Sequence, residues 1–147
     1  MNVQKDYEDF LQLLNDHKVR YCIVGSFALA YHAKPRYTKD MDIFIDPTEA
    51  NAERVLQALE EFGLEMLNLT VSDFLDKDQI IQIGYEPVRI DLLTDLSGCT
   101  FQEVWENRVP AQFGSTKAYF IGKKELTKNK KAAGRKQDLA DLEYLNE

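Results

Sequence analysis

Residues 21–46 read YCIVGSFALAYHAKPRYTKDMDIFID. An apolar run, Tyr21–Val24, is broken by Gly25-Ser26, and Phe27, Ala28, Leu29, Ala30 and Tyr31 then continue as a helix of small and apolar residues. A turn around Pro35 leads to Asp40-Met41-Asp42 and on into Ile43-Phe44-Ile45. The order is strand, Gly-Ser corner, helix, and a second strand that opens on paired carboxylates. It sets a backbone anion site beside two candidate metal ligands.

Each half of that arrangement has its own physical cause. A helix beginning just after Gly25-Ser26 presents unpaired N–H groups and the positive end of its dipole, which suits a phosphate. Gly25 has no side chain, so backbone and phosphate can approach closely. Ser26 adds a hydroxyl able to cap the helix or bond a phosphate oxygen. Asp40 and Asp42, two apart on a strand, leave the same face roughly 7 Å apart along the chain. Carboxylates so placed repel, and a hard divalent cation reconciles them.

The rest of the chain bounds the reading. A length of 147 residues is enough for one domain, 1–147, with a real core. Hydrophobic content of 44% and charged content of 29% indicate a globular chain. The net charge of -7 excludes non-specific coating of nucleic acid, though not a local basic groove. Cys22 and Cys99 stand apart, which predicts reduced thiols and a cytoplasmic location. No signal peptide or membrane-length apolar run is present, so no membrane is expected as a partner. His17 and His32 are too few and too scattered for a zinc site.

In chain order, Val3–Asn15 carries Tyr7, Phe10, Leu11 and Leu14 at helical spacing. Asp46-Pro47-Thr48-Glu49 reads as a helix start with Asp46 as cap, and the helix runs to about Phe62 and stops at Gly63. Leu64–Asp78 is less periodic, with room for a strand and a helical turn near Ser72–Leu75. Gln79–Gly84 and Val88–Leu93 read as an antiparallel hairpin. Asp91 lies between Ile90 and Leu92, where a charge is costly unless it faces a wet cleft or a metal. A short helix over Phe101–Asn107 precedes a small ribbon, Val109–Phe113 with Lys117–Ile121. Two helices, Glu125–Ala133 and Gln137–Leu145, close the chain.

Several residues carry two readings. An Asp-x-Asp alone is as readily a pair of solvated strand-end carboxylates. Gly25-Ser26 upstream, Arg36 and Thr38 just before it, and Asp91 on a later strand together favour a nucleotide–metal site. Arg36 is a phosphate ligand or a surface residue after Pro35; Thr38 stabilises the turn or orients Asp40. Lys123, Lys124 and Lys128 read as a solvated helix face. Tyr31 stacks on a base or packs in the core, and His32 is a weaker general base than Asp91.

Gly25-Ser26 followed by Arg36-x-Thr38-x-Asp40-x-Asp42 resembles the signature of the nucleotidyltransferase superfamily, and Asp91 is similar in setting to that family's third carboxylate. Lys130-Lys131-Ala132-Ala133-Gly134-Arg135-Lys136-Gln137-Asp138-Leu139-Ala140-Asp141 is similar to the C-terminal helix of small bacterial nucleotidyltransferase-like proteins, including relatives of abortive-infection toxins. Gln137 departs from it, standing where those relatives often carry Lys. The resemblance implies an α/β fold, a short mixed sheet flanked by helices. It implies transfer of a nucleoside monophosphate from an NTP to a hydroxyl of an RNA (tRNA) or protein acceptor, with Mg²⁺ or Mn²⁺ on Asp40, Asp42 and Asp91. Gly25, Ser26, Arg36, Thr38, Lys130 and Arg135 would hold the nucleotide. The alternative it leaves is a silent binder of nucleotide or of a partner protein such as an antitoxin.

Overall fold

Helix α1 (Val3–Asp16) forms because Tyr7, Phe10, Leu11 and Leu14 fall on one face, and all four are buried. The structure, a computed structural model, describes residues 3–33, 35, 38, 40–63, 68–76, 78–85 and 87–146. After α1 come β1 (Tyr21–Val24), α2 (Gly25–His32), β2 (Asp40–Ile45) and α3 (Glu49–Glu61). The hairpin β3 (Ile80–Tyr85) and β4 (Val88–Leu93) follows, then α4 (Phe101–Glu106), β5 (Val109–Phe113), β6 (Thr116–Phe120), α5 (Lys123–Ala133) and α6 (Lys136–Leu145).

The strands join in one mixed sheet of six, ordered β3-β4-β2-β1-β6-β5. β2 runs parallel to β4 and antiparallel to β1, and β1 runs parallel to β6. The fold is α/β, as expected, and the C-terminal ribbon joins the main sheet. Its β6 pairs with β1, which makes the central strands β1 and β2 buried on both faces: Tyr21, Cys22, Ile23, Val24, Met41, Ile43 and Ile45 are nearly sealed. α1 packs on β6, α3 and β4, while α2 lies against β1 and β2 and touches α5 and α6. No helix among the described residues is long and apolar enough to cross a membrane.

One local expectation is corrected and one is refined. α3 is capped by Thr48, whose hydroxyl accepts from the Asn51 N–H, and not by Asp46. Asp46 instead pairs with Arg20 at 3.2 Å. Asn51 explains the shift: its side-chain amide donates to the carbonyls of Asp46 and Arg20 and accepts from the Arg20 N–H, so the link between β1 and α3 is tied before the helix begins. Second, the helical turn expected near Ser72–Leu75 is a 3₁₀ turn, Val71–Phe74, anchored by the buried Phe74. Much of the strand expected ahead of it, 64–67, lies outside the described residues.

Candidate active site

The sheet register brings the three carboxylates together. Asp42 sits directly beside Asp91 in the parallel β2/β4 ladder, and Asp40 lies two residues before Asp42. Side chains alternate along a strand and neighbours across a ladder share a face, so all three leave the same side of the sheet. Val24, the last residue of β1, is paired with Asp42, so the corner at Gly25 follows at once beside that carboxylate. Gly25 has φ +64°, and a Cβ there would collide with Asp42 Oδ2. Glycine is thus required twice over, for the left-handed backbone and for the close approach.

α2 starts at Gly25 with Val24 in the cap position and no side chain capping it. Ser26 therefore lies inside the first turn and is not the N-cap. The helix N-terminus, its dipole and the carboxylates border one cleft of about 570 Å³, a size ordinary for a small-molecule site. Gly25, Asp40, Asp42, Asp91, Lys130 and Arg135 all line it. Ser26 and Thr38 do not, and Arg36 lies outside the described residues.

The cleft is under-neutralised. Asp42 is pushed up to about 6 from 3.8, first by burial and then by the negative charges of Asp91 and Asp40. Asp40 Oδ1 is buried without a hydrogen-bond partner. One cation answers these charges at contact distance among the described residues, and it is a residue the sequence reading overlooked. Arg89 donates from Nε and Nη2 to the two oxygens of Asp91, each at 3.2 Å, and its Nη1 lies 3.7 Å from Asp40. A usable signal was there: Arg89 stands two residues before Asp91, on the same strand face.

The basic side of the cleft is organised otherwise. Lys130, nearly buried, reaches Asp141 at 3.0 Å and Asp138 at 3.4 Å. Arg135 forks onto Asp138 through Nε at 2.7 Å and Nη2 at 3.3 Å. Burial alone would raise Asp138, but Arg135 and Lys130 outweigh it and hold the carboxyl below its usual range. Gln137, the departure from the family-like pattern, donates to Asp141 at 2.7 Å, so a neutral amide serves where a Lys was expected. His32 Nε2 lies 2.6 Å from the Ile121 carbonyl; a carbonyl only accepts, so that nitrogen carries the proton and holds the ring in place. Tyr31 stacks on Phe120 with ring centroids 4.7 Å apart, although 47% of it is exposed. Lys128 pairs with Glu103 on the surface, as its solvated-face reading expects.

The donor set suits a hard divalent cation: carboxylate oxygens only, one buried and without a partner, with mutual repulsion among the carboxyls. Among the described residues no group of three or more His, Cys, Asp or Glu side chains is placed so that it could hold a metal ion as it stands. Arg89 occupies the Asp91 oxygens instead.

The aminoglycoside-2''-adenylyltransferase family profile matches residues 8–112, well over half of the chain. That span includes Gly25, Asp40, Asp42, Arg89 and Asp91 and ends before Lys130 and Arg135. No curated protein matches the chain. The chain belongs to this adenylyltransferase family, and nucleotidyl transfer, with an NTP as substrate, is the class of chemistry that membership supports.

Proposed function

We propose that the chain transfers a nucleoside monophosphate, AMP in the first instance, from an NTP to an acceptor hydroxyl and releases pyrophosphate. The observation that carries this reading is the side-by-side placement of Asp42 and Asp91, with Asp40 on the same face and an uncapped helix N-terminus at the corner. Asp40, Asp42 and Asp91 would hold Mg²⁺ or Mn²⁺. When bound, the ion would spread the charge that develops on the triphosphate.

The chain's own groups divide the remaining tasks. The α2 N-terminus with Gly25 receives phosphate oxygens and stabilises the departing pyrophosphate. Lys130 and Arg135 line the same cleft; Arg135, largely exposed, is the one able to meet phosphate, while Lys130 is held by Asp138 and Asp141. Asp91 accepts or polarises the proton of the acceptor hydroxyl. That oxygen then forms its bond to the α-phosphorus while the bond to the bridging oxygen breaks.

The family's name joins adenylyl transfer to an aminoglycoside, and Asp78 and Asp95 on the cleft wall would suit such a polycationic acceptor. RNA and protein hydroxyls are the competing acceptors. The test is incubation with each labelled NTP and Mg²⁺ or Mn²⁺, with an aminoglycoside, total tRNA or the protein itself as acceptor. Label on one acceptor, with pyrophosphate released, supports transfer. Binding of NTP without transfer to any of the three would leave a nucleotide-binding protein in its place.

A further inference from the structure

We propose that Arg89 is a resident counter-cation which couples metal binding to triphosphate binding, a role that rests on the metal reading above. In the β2/β4 ladder Arg89 is paired with Asp40, and it shares a strand face with Asp91 two residues on. Its guanidinium is thereby shared between Asp91, at 3.2 Å, and Asp40, at 3.7 Å. These are carboxylates that would hold a divalent cation, so guanidinium and ion would compete for them. The backbone beneath it is fixed, since the Tyr7 hydroxyl donates to the Arg89 carbonyl at 3.3 Å. The side chain is not: 34% of it is exposed, against 10% for Asp91. The carboxylate stays and the guanidinium can turn out.

Two consequences follow from that asymmetry. A metal ion arriving alone must displace a forked, charge-assisted pair from Asp91, so it binds weakly. A triphosphate arriving with the ion gives the displaced guanidinium a new planar anionic partner, for which an arginine fork is well shaped. Each ligand therefore assists the other, and by linkage the assistance is equal in both directions. Bare metal is disfavoured and metal–nucleotide is favoured by the same side chain.

The experiment is calorimetric titration of Mn²⁺ into the protein, with and without an ATP analogue carrying a methylene bridge between the α- and β-phosphates, so that no turnover enters the readout. In Arg89→Gln, Mn²⁺ alone is expected to bind at least ~10-fold more tightly, the low end for removing a unit positive charge a few ångströms away. The gain in Mn²⁺ affinity on adding the analogue should shrink by a similar factor. Arg89→Lys keeps the charge without the fork and guards against loss of folding in the first variant; there the gain should shrink by at least ~3-fold. Unchanged Mn²⁺ affinity and unchanged coupling in whichever variant folds overturn the role of Arg89 and leave the metal site standing. Absence of Mn²⁺ binding in the unmutated protein and both variants, with or without the analogue, overturns both.

Discussion

Around Lys130, every charge has its answer. Lys130 lies between Asp138 and Asp141, Arg135 forks onto Asp138, and Gln137 fills the remaining side of Asp141. Across the same cleft, among the described residues, Asp40 and Asp91 share the Arg89 guanidinium, one Asp40 oxygen has no partner, and the Asp42 carboxyl holds its proton up to about pH 6. Each group has charges that are expensive to bury at its centre, Lys130, Asp138 and Asp141 in the first and Asp91 in the second. The first is closed, two cations against two anions, and ties α5 to α6. The second is left open, and the stability forgone there is what a divalent cation with a triphosphate can restore. Buried charge becomes a candidate for chemistry where the fold leaves it short of partners.

The contrast breaks most visibly at Lys130. Lys130→Met should cost about 3–5 kcal/mol in denaturant unfolding, because Asp138 and Asp141 would lose a shared buried cation. A cost below about 1 kcal/mol, with transfer lost, would instead place Lys130 among the ligand-binding groups first and the structural ones second. Asp91→Ala comes next in size. It should weaken Mg²⁺·NTP binding, because one of the three metal-holding carboxylates is gone, while transfer falls further, by at least ~10², the low end for removing a positioned acid–base group. Equal losses in affinity and transfer would make Asp91 a metal ligand only.

Asp42→Asn gives the smallest effect and the opposite sign. Asp42 binds its proton more tightly in the folded chain, at about 6, than at its ordinary 3.8. The folded state therefore loses stability as pH rises from about 4 through about 6, and the penalty is complete above that. The asparagine variant should be more stable than the unmutated apo protein by about 1–3 kcal/mol at pH 7.5, with the difference vanishing near pH 4. Unfolding curves at the two pH values check it. A variant destabilised at both would show that Asp42 is held by hydrogen bonds as a structural carboxylate.

The open cluster was more legible in the sequence than the closed one. Asp40, Asp42 and Asp91 stand on apolar strands, and period-two alternation is enough to put a pair on one face. Their neighbourhood across β2 and β4 was not readable, because parallel register is set by the whole sheet and not by a local turn. For the same reason the role of Arg89 was missed: its partner Asp40 is distant in sequence and adjacent only through the ladder. Lys130 and Arg135 were picked out as basic residues, but their partners lie one turn into the next helix. A motif shows a charge; only packing shows what already neutralises it. The cap of α3 failed more locally, because Asn51 satisfies the turn and leaves Asp46 to Arg20.

The central claim is that the carboxylate cleft is short of positive charge in a way that a metal-bound nucleotide corrects. Thermal melting measures this directly, with four samples compared at pH 7.5: protein alone, with Mg²⁺, with Mg²⁺·ATP, and with ATP plus EDTA. Mg²⁺·ATP should raise the Tm well beyond either Mg²⁺ alone or ATP with EDTA, and Asp42→Asn should lose most of that increase. Equal stabilisation by ATP with and without metal, undiminished in Asp42→Asn, would contradict the claim and leave the helix corner as the whole of the site.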